Sequence, residues 1–283
     1  MGTTMPSPNV PASGRTSRQL PSYAAGAFDV PSRILGGQEV ISQDTVWEEH
    51  SHPTHELLWN ERGASTARIG SRMWTITSRI GLWIPAGLPH SGFTPAGTWH
   101  CAAQLSMART LPLAPGPIAV ELTPLLRLLM DRLIHQTLSE RSQALTEAMI
   151  LDVLTPCEHQ LALPIPEHPL LTPIVDAVRA DPADGTSLAQ WSHRLGVSTR
   201  TITRSFETET GMTYRTWVAT ARAQHAVELL ARQVPLEQVT ESVGYRSASA
   251  FITAFRRITG LTPGQFRRIE AHSSAFSART LSD

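Results

Sequence analysis

One stretch of the chain, HSHPTHELLWNERG at residues 50–63, concentrates side chains that can bind a metal ion or exchange protons. Three histidines and Glu56 lie among its first seven residues. On a β-strand His50 and His52 face the same side because they are two residues apart, and Glu56 shares that side if the strand stays regular. Three interpretations are open at this point: a catalytic metal site, a sensor for a metal or ligand, and a polar strand end.

The last third of the chain contains an internal duplication. Two segments align, SLAQWSHRLGVSTRTITRSFETETGMTYRTW and PLEQVTESVGYRSASAFITAFRRITGLTPGQF. In each copy, the apolar spacing predicts a short helix, a glycine turn and a second helix. Gly196 is expected to end the first helix of the first copy, and Ser198 and Ser247 are expected to cap the second helices. Two helices joined in this way form a helix-turn-helix unit, whose second helix enters the DNA major groove.

The segment RAQHAVELLARQVPLEQVTESVGYRSASAFITAFRRITGLTPGQFRR, residues 222–268, resembles the DNA-binding signature of the AraC/XylS transcriptional regulators. The resemblance extends over about residues 170–268. It implies two helix-turn-helix units bridged by one longer helix, at about residues 213–233. It also implies double-stranded DNA as a partner and two recognition helices about 34 Å apart on one face of the duplex.

The candidates for DNA contact follow from their positions on the second helix of each unit. In the first unit Arg200, Thr203 and Arg204 lie opposite the apolar Ile202 and Phe206, where the family contacts bases. Arginine can donate two hydrogen bonds to guanine, although these arginines could instead contact only phosphates. The corresponding positions of the second unit are small or apolar, which favours thymine-methyl contact or shape readout. They are Ala248, Ser249, Ile252 and Thr253, with Arg256 as a phosphate contact or a solvated residue.

Two motifs in the first third of the chain resemble those of cupins. HSH followed by Glu56 and Gly63 resembles the first cupin metal-binding motif, and PAGLPH at residues 85–90 resembles the second. The resemblance implies a metal site whose ligands are His50, His52, Glu56 and His90. Three imidazoles and one carboxylate suit Fe(II), Mn, Ni, Cu or Zn.

The sequence departs from the cupin pattern at Asp44, Arg79 and Thr94, where Gly, Gly and Asn are usual. Besides the metal site, a metal-free pocket for an organic effector and purely structural histidines remain open. His55 and His100 are expected at the surface or behind the ligands. Neither is needed for the ligand set.

The predicted fold class is α+β multidomain, with a cupin-like β-barrel plus helices followed by an all-α double helix-turn-helix domain. Leu125, Leu128, Leu129, Leu133 and Ile134 are predicted to form one apolar stripe on a helix that could dimerise or pack on the barrel. The predicted boundaries are 1–27 for a disordered tail, 28–116 for the sensor domain, 117–155 for the helical dimerisation or packing segment, 156–169 for a linker, 170–270 for the DNA-binding domain and 271–283 for a tail.

Composition excludes several classes of protein. No apolar run is long enough for a membrane span, and the Pro-, Ser- and Thr-rich start is no secretory signal. The 2 cysteines are too few for a disulfide framework, which favours a reduced cytoplasmic setting. The formal net charge is zero, so charge alone predicts no partner. All 24 basic residues are arginine, as a GC-rich genome produces.

Together these features predict a cytoplasmic, homodimeric transcription regulator that is not an enzyme. Its barrel would sense a divalent metal ion or a small-molecule effector and control DNA binding. Two alternatives stay open. One is a metal-dependent cupin enzyme fused to a DNA-binding module, and the other is a constitutive regulator with a vestigial pocket.

Overall fold

The computed structural model describes residues 15–157 and 160–269. Its first half is built from two facing β-sheets and its second half from helices, as the sequence predicts. The strands are β1 (Thr16–Arg18), β2 (Ile34–Val40), β3 (Thr45–His50), β4 (His55–Arg62), β5 (Ser65–Ile69), β6 (Arg72–Ile76), β7 (Ile80–Ile84), β8 (His90–Thr94), β9 (Trp99–Leu105), β10 (Ile118–Glu121) and β11 (Ala162–Pro164).

One sheet has six strands in the order β1-β3-β8-β5-β6-β11, and the other has five in the order β10-β7-β4-β9-β2. Strands β4 and β9 at the centre of the second sheet are covered on both faces. Leu57 and Trp59 of β4 face an apolar cluster outside the barrel, whereas Glu56 and Leu58 line the interior. This alternation follows from the two-residue period of a strand.

Two antiparallel helices cover the outer face of the five-stranded sheet. They are α1 (Pro124–His135) and α2 (Glu140–Val153). The buried face of α1 is formed by Leu126, Leu129 and Met130, whereas Leu125 and Leu128 are 46% and 48% exposed. The prediction of one apolar stripe is therefore wrong for Leu125 and Leu128. The orientation of α1 on the sheet buries the neighbouring positions instead.

Three predicted boundaries differ from the structure because short strands find partners in the sheets. Residues 16–18, placed in the tail 1–27, pair with β3 as a parallel strand. Residues 118–121, placed in the helical segment 117–155, pair with β7. Residues 162–164, placed in the linker 156–169, pair with β6. Residues 1–14 and the predicted tail 271–283 lie outside the described residues.

The second half contains α3 (Thr172–Ala180), α4 (Leu188–Leu195), α5 (Thr199–Thr210), α6 (Tyr214–Ala231), α7 (Leu236–Ser242), α8 (Ala248–Thr259) and a last helical segment at 263–269. The predicted caps are confirmed, since the hydroxyls of Ser198 and Ser247 accept hydrogen bonds from the backbone N–H groups of Thr201 and Ala250. Gly196 ends α4 with φ 66°, a left-handed conformation that glycine adopts without strain. These local signals explain why the duplicated segments fold alike.

Helix α6 joins the two halves of the molecule. Its Gln224 side chain is buried and donates hydrogen bonds to the carbonyls of Met73 and Leu161, at 3.0 and 3.1 Å. The Trp217 indole N–H donates to the carbonyl of Pro164 at 2.6 Å. The short strand β11 is therefore held between β6 and α6, and the barrel and the helical domain share a packed interface.

No helix within the described ranges combines the length and the apolar character that crossing a membrane requires.

The amide of Gln224 should contribute measurably to the stability of this interface. Gln224→Ala removes two buried hydrogen bonds, and we expect the free energy of unfolding to fall by about 1–3 kcal/mol. Urea unfolding followed by tryptophan fluorescence measures the change. Arg215→Ala on the same helix, where the side chain is exposed, should change the free energy of unfolding by less than about 0.5 kcal/mol. Equal losses in both variants would contradict the bridging role of Gln224.

Candidate metal centre and DNA-binding surface

The ends of three strands and one turn bring the predicted ligands together. His50 closes β3 and lies opposite His90, the first residue of β8, in the antiparallel register. His52 follows in the turn between β3 and β4, and Glu56 comes from β4 in the facing sheet. The strand does not stay regular from His50 to Glu56, because the chain crosses between the sheets over residues 51–54 with Pro53 in the turn.

The three imidazoles form a compact cluster. One ring nitrogen each of His50, His52 and His90 lies within 4.8 Å of the others. Coordination at about 2.1 Å would bring such nitrogens to roughly 3 Å from each other, so small ring rotations would close the site. His50 and His90 are buried, and His52 is partly exposed at the edge of the cluster.

Backbone carbonyls set the tautomers of two rings. The Nδ1 atom of His50 lies 2.7 Å from the carbonyl of Glu48, and that of His90 lies 3.0 Å from the carbonyl of Leu88. A carbonyl only accepts, so Nδ1 carries the hydrogen in both rings. In the neutral imidazole, Nε2 then has a lone pair that could bind a metal ion. Metal-binding histidines typically donate a hydrogen bond from their other ring nitrogen in this way.

Glu56 is fully enclosed and lies against two of the rings. Its two carboxylate oxygens lie 3.2 Å from the Nε2 atoms of His52 and His90, respectively. Gln104 donates a hydrogen bond to Oε1 at 2.9 Å and in turn accepts one from Thr54 at 2.5 Å. The other oxygen, Oε2, has no aligned hydrogen-bond donor among the described residues. An anionic oxygen in this state fits a bound cation.

Glu56 and the neighbouring His90 shift each other's pKa values. Burial alone would raise the pKa of Glu56, but the neighbouring His52 and His90 hold the pKa of its carboxyl well below the usual value. Burial alone would lower the pKa of His90, yet contact with Glu56 raises it. Burial lowers the pKa of His50, which favours its neutral form. The cluster therefore holds one buried carboxylate, whose charge can be balanced by a protonated His90 or by a bound cation.

A cavity of about 320 Å³ opens between the sheets beside the cluster. All four predicted ligands line it. Other lining residues are missed by the motif comparison because they lie outside the two motifs: Gln38, Glu39, Trp47, His100 and Gln104. Alternation along β9 places His100 and Gln104 on the inner face and could have identified them. The volume is at the small end for a small-molecule site.

The two histidines outside the ligand set lie in different environments. His55 is buried on the other face of β4, where its ring packs 5.0 Å from that of Trp83 and its Nδ1 accepts a hydrogen bond from Ala86. His100 lines the cavity with its ring 5.6 Å from that of Trp47. Cys101 is buried under α1, and burial raises the pKa of its thiol. A buried thiol of this kind is unreactive.

Helix α5 presents the predicted base-contacting residues to solvent. Ile202 and Phe206 are completely buried, while Arg200 and Arg204 are exposed and Thr203 is partly exposed. No protein partner is found for either arginine in residues 15–157 and 160–269. Their guanidinium groups are thus available for DNA.

Helix α8 presents a less polar surface. Ser249, Thr253 and Arg256 are exposed, and Ala248 and Ile252 are partly exposed. The hydroxyl of Thr253 donates to the carbonyl of Ser249 at 2.9 Å and so competes with any base contact. The surface offers methyl groups and few free donors.

A groove between the two units adds arginines that the sequence comparison missed. Arg215, Arg246 and Arg257 line it and are exposed. They lie outside the recognition positions, so only their convergence in space identifies them as candidates for phosphate contact.

Comparison with known proteins agrees with this geometry. A family model described as a helix-turn-helix domain matches residues 191–269. The HTH-type transcriptional regulator NimR of Escherichia coli is 28% identical over 222 residues, which cover 77% of this chain and 81% of NimR. A putative AraC-like transcription regulator of Streptomyces antibioticus is 30% identical over 105 residues, covering 35% of this chain and 33% of its own.

A solved structure, the C-terminal domain of the response regulator AraT from Geobacillus stearothermophilus, is similar with a TM-score of 0.34 and 26% identity. The similarity covers 35% of this chain and 84% of that domain. The matched helix-turn-helix domain and these relatives support a DNA-binding transcription regulator that is similar to AraC-like and other HTH-type regulators.

Proposed function

We propose that the β-barrel senses a divalent metal ion or a small effector and that its occupancy controls DNA binding by the two helix-turn-helix units. The observation that carries this proposal is the enclosed cluster of three histidines and Glu56 beside a cavity, on the same chain as two exposed recognition helices. A cation would balance the buried carboxylate, and a bound cation would offer an effector a site for a donor atom.

The residues present fit a metal ion. His50, His52 and His90 would supply nitrogen ligands and Glu56 an oxygen ligand, which suits Fe(II), Mn, Ni, Cu or Zn. Gln104 would hold Glu56 in place, and the carbonyls of residues 48 and 88 would fix two rings. The buried carboxylate of Glu56, whose Oε2 atom has only the His90 ring beside it, is the strongest support for a cation over a purely organic ligand.

A physical connection joins the cavity to the DNA-binding domain. Strand β6 contributes Ile76 to the cavity wall, and the carbonyl of its Met73 accepts a hydrogen bond from Gln224 of α6. Helix α6 lies between the two helix-turn-helix units. An effector can shift the orientation of the two units only if it binds two conformations of the protein with different affinity. A different position of β6 in those conformations would provide this difference in affinity.

Loss of one ligand should weaken metal binding and reduce the effect of the metal on DNA binding. For His52→Ala we expect the affinity for each of Fe(II), Mn(II), Ni(II), Cu(II) and Zn(II) to fall tenfold or more, because one donor of the set is removed. Elemental analysis of untagged protein identifies the resident metal. Fluorescence anisotropy with a duplex selected from random DNA then measures DNA affinity with and without that metal.

The matched control is His135→Ala, a histidine on the outer surface at the end of α1. It should leave metal content and DNA affinity unchanged. If His52→Ala keeps the same metal-dependent change in DNA affinity as the unmodified chain, sensing by this cluster is refuted. If the resident metal is bound but turnover of a small oxidisable substrate replaces any effect on DNA, the barrel is an enzyme.

We expect Arg204 to contact a base and to contribute to sequence specificity. Arg204→Ala is expected to weaken binding to the selected duplex by about 1–3 kcal/mol and to relax preference at one base pair, because two hydrogen bonds to guanine are lost. Competition anisotropy with single-base variants measures both effects. Arg141→Ala, an exposed arginine of the barrel half, is the control. An equal loss on selected and random DNA would reduce Arg204 to a phosphate contact.

We further propose that the exposed apolar side chains of α1 and α2 form a contact with a second copy of the chain. Leu125 and Leu128 lie one turn apart on α1, and Leu145 and Met149 lie one turn apart on α2. All four are about half exposed. A self-complementary patch on a helix pair suits a two-fold dimer.

The double variant Leu145→Glu with Met149→Glu should shift the chain from dimer to monomer, because it places two charges in an apolar contact. Light scattering after size-exclusion chromatography measures the mass. Leu111→Glu, at a leucine that is 90% exposed outside the helix pair, should leave the mass unchanged. A monomeric unmodified chain at micromolar concentration would refute the proposal.

A further inference from the structure

The loop that leads into the first helix-turn-helix unit, residues 181–187, has a fixed shape. Asp181 accepts a hydrogen bond from the backbone of Ala183 at 2.9 Å, and Asp184 accepts two from Thr186, at 2.9 and 2.6 Å. The hydroxyl of Ser187 then caps α4. A displacement of this loop therefore moves the start of the first unit.

Arg222 of α6 ties this loop to the second unit. Its Nε atom donates to the carbonyl of Pro182 at 2.8 Å, and Nη2 donates to the carbonyl of Asp184 at 3.1 Å. The same guanidinium lies 5.6 Å from the ring centroid of Tyr245, in the turn between α7 and α8. One side chain thus contacts both units from the helix that bridges them.

Gly244 is the third part of the junction between the two units, together with Arg222 and the loop 181–187. It has φ 71° and sits directly against the loop, since a Cβ atom at this position would come within 2.9 Å of the Cα and carbonyl oxygen of Ala183. The two units are in backbone contact there. A side chain would push them apart.

Arg222 differs from the other arginines of the groove between the units. Arg215, Arg246 and Arg257 are exposed and have no protein partner in the part of the chain that the structure describes. The guanidinium of Arg222 already donates to two carbonyls and packs on a ring, so it is not free to neutralise a phosphate. Its contribution to DNA binding must come from holding protein parts in place.

We propose that Arg222 is a positioning residue that fixes the relative orientation of α5 and α8 and thereby the spacing between the two half-sites the protein selects. Half-site spacing follows from the distance between recognition helices. When the contacts of Arg222 and Gly244 with the loop 181–187 are intact, a duplex whose half-sites have a different spacing can be contacted by only one unit. Without it, the units can adjust to several spacings.

The test uses the full chain and three kinds of duplex: the selected site, the same site with one base pair inserted or deleted between the half-sites, and a single half-site. Fluorescence anisotropy at fixed salt measures each affinity. For the unmodified chain we expect the spacing variants to bind about tenfold or more weakly than the selected site. For Arg222→Ala we expect this penalty to fall below about threefold, with half-site affinity unchanged.

Arg215→Ala is the matched control from the same groove. It should weaken all duplexes alike and reduce the salt dependence of binding, while the spacing penalty stays. Arg222→Lys should behave like Arg222→Ala, because an ammonium group lacks the planar fork that reaches two carbonyls and stacks on a ring.

An unchanged spacing penalty in Arg222→Ala overturns the inference, and so does a loss of half-site affinity equal to the loss on the full site. If Arg222→Ala fails to fold by circular dichroism, Gly244→Ala decides in the same assay. It is expected to change the preferred spacing, and an unchanged preference overturns the inference. The inference rests on DNA binding by both units. Absence of binding to any duplex by the unmodified chain would instead refute that binding.

Discussion

The packing of α6 is the constraint on which the rest of the molecule depends. Trp217 and Val227 are completely buried on this helix, and Gln224 is nearly so. Burial of a bulky aromatic and an aliphatic side chain stabilises the helix by several kcal/mol, about 1.5–3 for each large residue. Because its two faces contact a β-strand edge and both DNA-binding units, α6 cannot move without changing one of those contacts.

The charge balance in the barrel imposes a second constraint. Glu56 is an ionised carboxylate removed from water, and such a group is costly unless it is paired. Two histidine rings and one glutamine amide surround it, yet one oxygen lacks an aligned donor. The energy of this arrangement depends on whether a positive charge occupies the cluster.

These two constraints meet at the six-stranded sheet. Its inner face borders the cavity, and its strand β6 and edge strand β11 contact α6 through Gln224 and Trp217. The barrel half and the helical half are thus connected by hydrogen bonds to backbone carbonyls. Such bonds are directional and respond to small shifts of a strand. The arrangement provides a short route from occupancy of the cavity to the angle between the recognition helices.

The sequence alone determined the helix-turn-helix units, because their caps, glycine turns and apolar spacing are local signals that act within a few residues. Ser198, Gly196 and Ser247 perform as their positions predict. Tertiary structure decided the features that depend on distant partners. The crossing at residues 51–54 brings Glu56 from the opposite sheet, and Arg222 meets a loop forty residues away. No local pattern encodes such contacts, since they arise only when separate segments pack together.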